Sequence, residues 1–180
     1  MDMLAHALWA GVGIAALHHH HPIRRKVAVG TVTLAVLPDV VQALPVAAWL
    51  LASGGSWSTW MAFAMALPGH EPTLPSWVTL ISHHLHCTLH SVVVAAAITA
   101  LAVAIQRQFW LPLAGWWLHI SIDFFTHSKD YYAVPVLYPF TDWSFDGIAW
   151  TTPWFMAANY GALVVVITAL ALKHLYPKVK

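Results

Sequence analysis

An all-α integral membrane protein, a bundle of about five transmembrane helices with a metal site in its outer half, is the fold class predicted by three features of this sequence. Hydrophobic residues make up 59% of the 180 positions and charged residues only 8%, against roughly 25% charged in an ordinary soluble domain. Mean hydropathy is +0.66. The apolar residues fall into stretches of about membrane-spanning length, separated by Gly- and Pro-rich connections.

Five such stretches, over residues 3–17, 27–52, 76–105, 109–126 and 154–172, make a single transmembrane domain. The first lacks a basic leading region and runs into His18, His19, His20 and His21 rather than a small-residue cleavage site, so it reads as a retained helix. Beside Arg24, Arg25 and Lys26, the histidine run reads as an interfacial loop. The second stretch carries Leu37-Pro38-Asp39, and the third is long for one span. Loop signals concentrate in residues 53–75, with Gly54-Gly55, Pro68-Gly69, Pro72 and Pro75, and in residues 129–153, with Pro135, Pro139 and Gly147. A short interfacial helix is predicted over 57–67.

In this topology Arg24, Arg25, Lys26, Arg107, Lys173, Lys178 and Lys180 share one side, and Lys129 alone lies on the other. The positive-inside rule then puts the N-terminus outside, the C-terminus in the cytoplasm and both long loops outside. Trp57, Trp60, Trp77, Trp143, Trp150 and Trp154 gather at the outer boundary, as an aromatic belt would. A net charge of +1 gives no basis for nucleic-acid binding, and the single cysteine, Cys87, excludes an intrachain disulfide.

Polar residues within the apolar stretches carry the chemistry. His119, Asp123 and His127 recur every four residues and so share one helix face. A carboxylate near mid-bilayer costs about 2.5 to 3.5 kcal/mol, which a cation flanked by imidazoles would offset. His6 lies one turn inside the first helix, Asp39 near the middle of the second, and His83, His86 and His90 on one face of the third, with His84 pointing elsewhere. One pocket opening outward accounts for four helices presenting ligands at matching depth. His70, His84 and His174 read as packing residues instead.

Imidazole and carboxylate donors without paired cysteines suit Zn²⁺, with Mn²⁺ or Fe²⁺ as alternatives, and more than four donors suggest one ion with extra partners or a two-metal centre. The predicted metal ligands are His6, Asp39, His86, His90, His119, Asp123 and His127. Bound metal lowers the pKa of water to about 7. Asp39 would bridge ions or take the water proton, Ser91 would donate to an oxyanion, and Lys129 would meet a phosphate.

The ordered set of His6, Leu37-Pro38-Asp39, His90-Ser91, His119-x3-Asp123 and Leu137-Tyr138-Pro139-Phe140 resembles the YdjM, or DUF457, family of bacterial and archaeal inner-membrane proteins described as metal-dependent hydrolases. The resemblance spans residues 4–140 and implies that His6, Asp39, His90, His119 and Asp123 are site positions. It departs from the family at His84-Leu85-His86-Cys87-Thr88-Leu89-His90-Ser91, where an arginine and a glycine of the usual block are missing. The set is more distantly similar to zinc-dependent phospholipase C, which implies phosphoester hydrolysis, and no HExxH peptidase pattern is present. A hydrolase acting on a lipid or lipid-linked phosphoester in the inner membrane is therefore the leading expectation. A metal-ion or proton transporter is the alternative, and bis-histidine haem ligation fits the buried aspartates poorly.

Overall fold

The computed structural model describes residues 1–68, 70 and 72–175, leaving aside the side chains of His174 and Leu175. Gly69, Lys178, Lys180 and the His174 side chain, all used above, lie outside the described residues. Seven helices follow one another: α1 (Met3–His18), α2 (Arg25–Ala52), α3 (Trp57–Ala64), α4 (Ser76–Leu89), α5 (Val92–Gln106), α6 (Leu113–Thr126) and α7 (Pro153–Leu175). No strand occurs among the described residues. The short helix predicted over 57–67 forms as α3 and stops at Ala64.

Two helices, α2 and α7, are long and apolar enough to cross a membrane, and α4 with α5 makes a third span only as a pair bent by 58°. Of the five spans expected from the sequence, two or three qualify by helix length and apolar composition. At 1.5 Å per residue, the 16 residues of α1 and 14 of α6 give about 24 and 21 Å, less than a hydrocarbon core of about 30 Å. The fourth stretch is shortened because Pro112 disfavours helix at Leu111, so the helix begins only at Leu113.

The third stretch breaks for a local reason. Ser91 Oγ accepts from the N–H groups of Val93 and Val94 at 3.1 and 3.2 Å, capping a new helix start. The N–H of Val92 donates to Val136 O at 2.9 Å, so the loop after α6 supplies a partner that a continuous helix would have supplied itself. His90, at the break, closes α4 with φ −99° and ψ 7°.

Around α2 pack α1, α4 and α6. Gly115 makes the α2–α6 contact possible, since a Cβ there would collide with the Thr31 carbonyl and lie 3.1 Å from Ala35 N. One turn further along α6, that approach puts His119 against the α2 backbone. The last carbonyls of α6 are satisfied by the following loop, where the N–H groups of Ile148 and Trp150 donate to Phe125 O and Thr126 O at 3.0 and 2.9 Å. Trp150 is consequently buried beside Met1, Ala5, Tyr131 and Leu163 rather than exposed in a belt, whereas Trp57, Trp77, Trp143 and Trp154 are exposed. On its other flank α1 packs against α7.

Replacing a helical glycine by alanine ordinarily raises stability. At Gly115 the sign reverses: Gly115→Ala lowers the unfolding free energy by about 1 to 3 kcal/mol through overpacking. Thermal denaturation in detergent checks this, and a variant as stable as the parent would refute the close contact.

Candidate metal centre

Four buried side chains from three elements converge: Asp39 of α2, His90 at the α4–α5 break, and His119 and Asp123 of α6. Each offers one ligand atom, and all of these atoms lie within 4.8 Å of one another. His90 Nε2 and His119 Nε2 are 2.9 Å apart. Both are 3.2 Å from Asp123 Oδ2 and 3.8 Å from Asp39 Oδ1. Donor atoms about 2.0 to 2.1 Å from a tetrahedral ion stand roughly 3.3 Å apart, so the spacing fits one ion.

The hydrogen bonds behind the rings decide their protonation. His90 Nδ1–H donates to His86 O at 2.8 Å, and His119 Nδ1–H donates to Ala35 O at 2.8 Å. A carbonyl only accepts, so in both neutral rings the proton is on Nδ1 and Nε2 presents a bare lone pair. Two lone pairs 2.9 Å apart, beside a buried carboxylate oxygen without a hydrogen-bond donor, repel unless a proton or a metal ion lies between them. Anchoring the outer nitrogen to a backbone carbonyl is also how metal-binding histidines are oriented. The residues present thus fit a metal ion.

The second oxygen of each carboxylate faces a second group. His6 Nε2 is 3.0 Å from Asp123 Oδ1 and 3.9 Å from Asp39 Oδ2, with neither of its ring nitrogens hydrogen bonded. Its ring stacks on His119 at 4.0 Å between centroids. His127 Nε2 is 3.5 Å from Asp123 Oδ1, and its Nδ1–H donates to Tyr132 O at 2.9 Å. The Met1 ammonium reaches Asp123 Oδ1 and lies 3.0 Å from His127 Nε2, so a cation already sits against this half of the cluster.

Of the predicted ligands, His6, Asp39, His90, His119, Asp123 and His127 come together. His127 does so by a route other than the helical ladder. The helix ends at Thr126, and His127 is extended, at φ −118° and ψ 141°. His86 packs its ring on His90 at 4.1 Å between centroids but is not a ligand, because both ring nitrogens are engaged elsewhere: Nε2 donates to Ala133 O at 3.0 Å and Nδ1 lies 2.6 Å from Gln42 Oε1. Gln42 in turn donates to Asp39 Oδ1 at 3.2 Å. This residue was missed in the sequence, although its place three residues after Asp39 put it on the same face.

Two residues predicted to be catalytic are also placed elsewhere. Ser91 donates to Tyr138 O at 2.6 Å while capping α5, which leaves its hydroxyl no proton for an oxyanion. Lys129 is exposed, and its backbone N–H is fixed by Asp146 Oδ1 at 2.9 Å. His83 contacts Cys87 Sγ at 3.5 Å, and His84 Nδ1 lies 3.1 Å from the Tyr138 hydroxyl, both away from the cluster.

A cavity of about 250 Å³ reaches Asp39 and His127 and has walls that include Trp60, Phe63, Met65 and Trp150. A second, of about 380 Å³, lies beside His86 and Ser82 and shares Gln42, Phe63 and Tyr132 with the first. Lys129 lines neither. Comparison with family models, curated proteins and solved structures finds no match.

Elemental analysis of the purified protein separates the two classes of residue. His119→Ala and Asp123→Asn each abolish metal retention, whereas Ser91→Ala keeps the metal and loses about 1 kcal/mol of stability with its helix cap. Metal lost on Ser91→Ala alone would overturn the division.

Proposed function

We propose that this chain is a membrane-embedded, metal-dependent hydrolase that cleaves a phosphoester of a lipid or lipid-linked substrate. The facing lone pairs of His90 and His119 beside Asp123 carry the reading, because a proton or a metal ion must lie between them and four converging donors with two carboxylates suit the doubly charged ion. Zn²⁺ suits the mixed imidazole and carboxylate donors best, with Mn²⁺ and Fe²⁺ next. His90, His119, Asp39 Oδ1 and Asp123 Oδ2 would hold one ion. His6, His127 and Asp123 Oδ1 would hold a second ion in place of the Met1 ammonium. Bound metal supplies Lewis acidity and lowers the pKa of water to about 7.

The chain's own residues supply the remaining requirements. Asp39 borders the cavity, and its Oδ2 has no hydrogen-bond partner, so it is placed to take the proton of the attacking water. Gln42 holds the other oxygen of Asp39 and is backed by His86. Trp60, Phe63, Met65 and Trp150 give the cavity an apolar wall suited to a lipid chain, which supports a lipid over a free sugar phosphate. The resemblance to YdjM proteins and the distribution of Lys and Arg favour an inner-membrane location with this cavity facing outward.

Incubation of the pure protein with Zn²⁺ or Mn²⁺ and a panel of phospholipids releases phosphate or a phosphorylated headgroup, and Asp39→Asn lowers kcat by at least 100-fold with folding retained. No release from any lipid, combined with metal flux into proteoliposomes that Asp123→Ala abolishes, would replace hydrolysis by transport. In the two-ion arrangement, the double variant His6→Ala with His127→Ala retains half the metal of the parent. Unchanged content would limit the centre to one ion.

A further inference from the structure

The polar site leaves unexplained the basic end of the molecule, where the His18 to His21 run meets Arg24, Arg25 and Lys26. A groove of about 480 Å³ lies between α1 and α7 at this end. Its floor on α1 is Ala7, Gly11 and Ala15, one turn apart, and Ile167, Leu170 and Ala171 form the wall on α7. The groove is open space rather than a tight helix contact, since a Cβ on Gly11 would meet nothing within 4 Å. Glycine weakens a helix relative to alanine, and here no atom of the described residues uses the room it makes.

One end of the groove is apolar and the other is cationic. His18, His19 and Lys173 form its mouth, all exposed. The Ile23 N–H donates to His18 Nδ1 at 2.9 Å, so Nδ1 is the acceptor nitrogen and Nε2–H remains available as a donor. Among the described residues no ion pair engages Arg24, Arg25, Lys26 or Lys173, and the acidic residues Asp2, Asp39, Asp123, Asp130, Asp142 and Asp146 lie in other segments. From Ala7 to His18 the helix rises about 16 Å. That matches one leaflet, half of a hydrocarbon core of about 30 Å.

We infer that the α1–α7 groove binds one anionic phospholipid, its acyl chain along Ala7, Gly11 and Ala15 and its phosphate at His18, His19 and Lys173. An apolar trough one leaflet deep, ending in the Lys173 ammonium and two imidazole donors, is complementary to such a lipid in both shape and charge. A zwitterionic lipid would fill the trough equally well but would gain less at its mouth. The site stands independently of the metal centre, since it shares no residue with it.

Native mass spectrometry of the full chain, titrated with phosphatidylglycerol or phosphatidylcholine, tests this assignment. One phosphatidylglycerol is retained in preference to phosphatidylcholine, and Lys173→Gln lowers its affinity about fivefold. Gly11→Leu fills the groove and abolishes retention, whereas Gly11→Ala preserves it; circular dichroism verifies that each variant is folded. Should Gly11→Leu fail to fold, the triple variant His18→Gln, His19→Gln, Lys173→Gln tests the mouth alone and removes the preference for the anionic lipid. Equal retention of both lipids by the parent, or undiminished binding in these variants, overturns the proposal. A dimer that dissociates on Gly11→Leu would instead assign the groove to a second copy of the chain.

Discussion

Two carboxylates buried among imidazoles set the conditions that the rest of this bundle meets. Asp123 is fully buried and Asp39 nearly so, and neither is paired with a lysine or arginine among the described residues. Asp123 meets the Met1 ammonium at Oδ1 alone, and buried charge so sparsely compensated costs far more than any one packing contact returns. Imidazoles alone do not remove the cost, because the backbone carbonyls of His86 and Ala35 claim the Nδ1 protons of His90 and His119. Those same bonds leave both Nε2 atoms bare. The arrangement therefore excludes neutral packing as its purpose and is coherent only with positive charge at its centre.

Much of the fold works to keep those bonds in place. Gly115 lets α6 approach α2 closely enough for His119 to reach Ala35 O, and Ser91 caps a new helix so that His90 falls at a bend rather than along a straight rod. Loop residues complete the enclosure, with Val136 O accepting at the break and Tyr132 O orienting His127. Irregular backbone at this depth is tolerable because each exposed polar group finds a protein partner. The shortness of α6 follows the same logic: its last carbonyls meet the loop that closes the site, so it need not reach a membrane surface itself.

Residues whose role depends on helical periodicity were legible in the sequence. His119 and Asp123 share a face because they are four apart in a helix that forms as predicted at that point, and Asp39 was conspicuous as an acid in an apolar run. His90 was identified by its spacing from His86, yet the two diverge in role. The bend at Ser91 turns one to the cluster and leaves the other with Gln42. Periodicity cannot register that break, because Val92 to Gln106 is as apolar as a continuing span and the signal resides in one hydroxyl. Ser91 itself was read as an oxyanion donor for the same reason: a serine beside a ligand histidine looks catalytic until its proton is traced to Tyr138 O. Backbone carbonyls as orienting groups leave no trace in side-chain chemistry at all.

The two ends of α1 illustrate how one short helix can serve opposite electrostatic demands. Near its start His6 stacks on His119 among carboxylates that draw cations, and at its end His18 and His19 present imidazole donors beside the Lys173 ammonium. Between them Ala7, Gly11 and Ala15 keep one face free of bulk, while Ala5 and Ala10 are buried against the bundle. Only 16 residues are available to α1 for both. The sequence of α1 is accordingly constrained on both faces, by the His/Asp cluster on one and by the α1–α7 groove on the other, and hydrophobic length alone would be a poor guide to what it does.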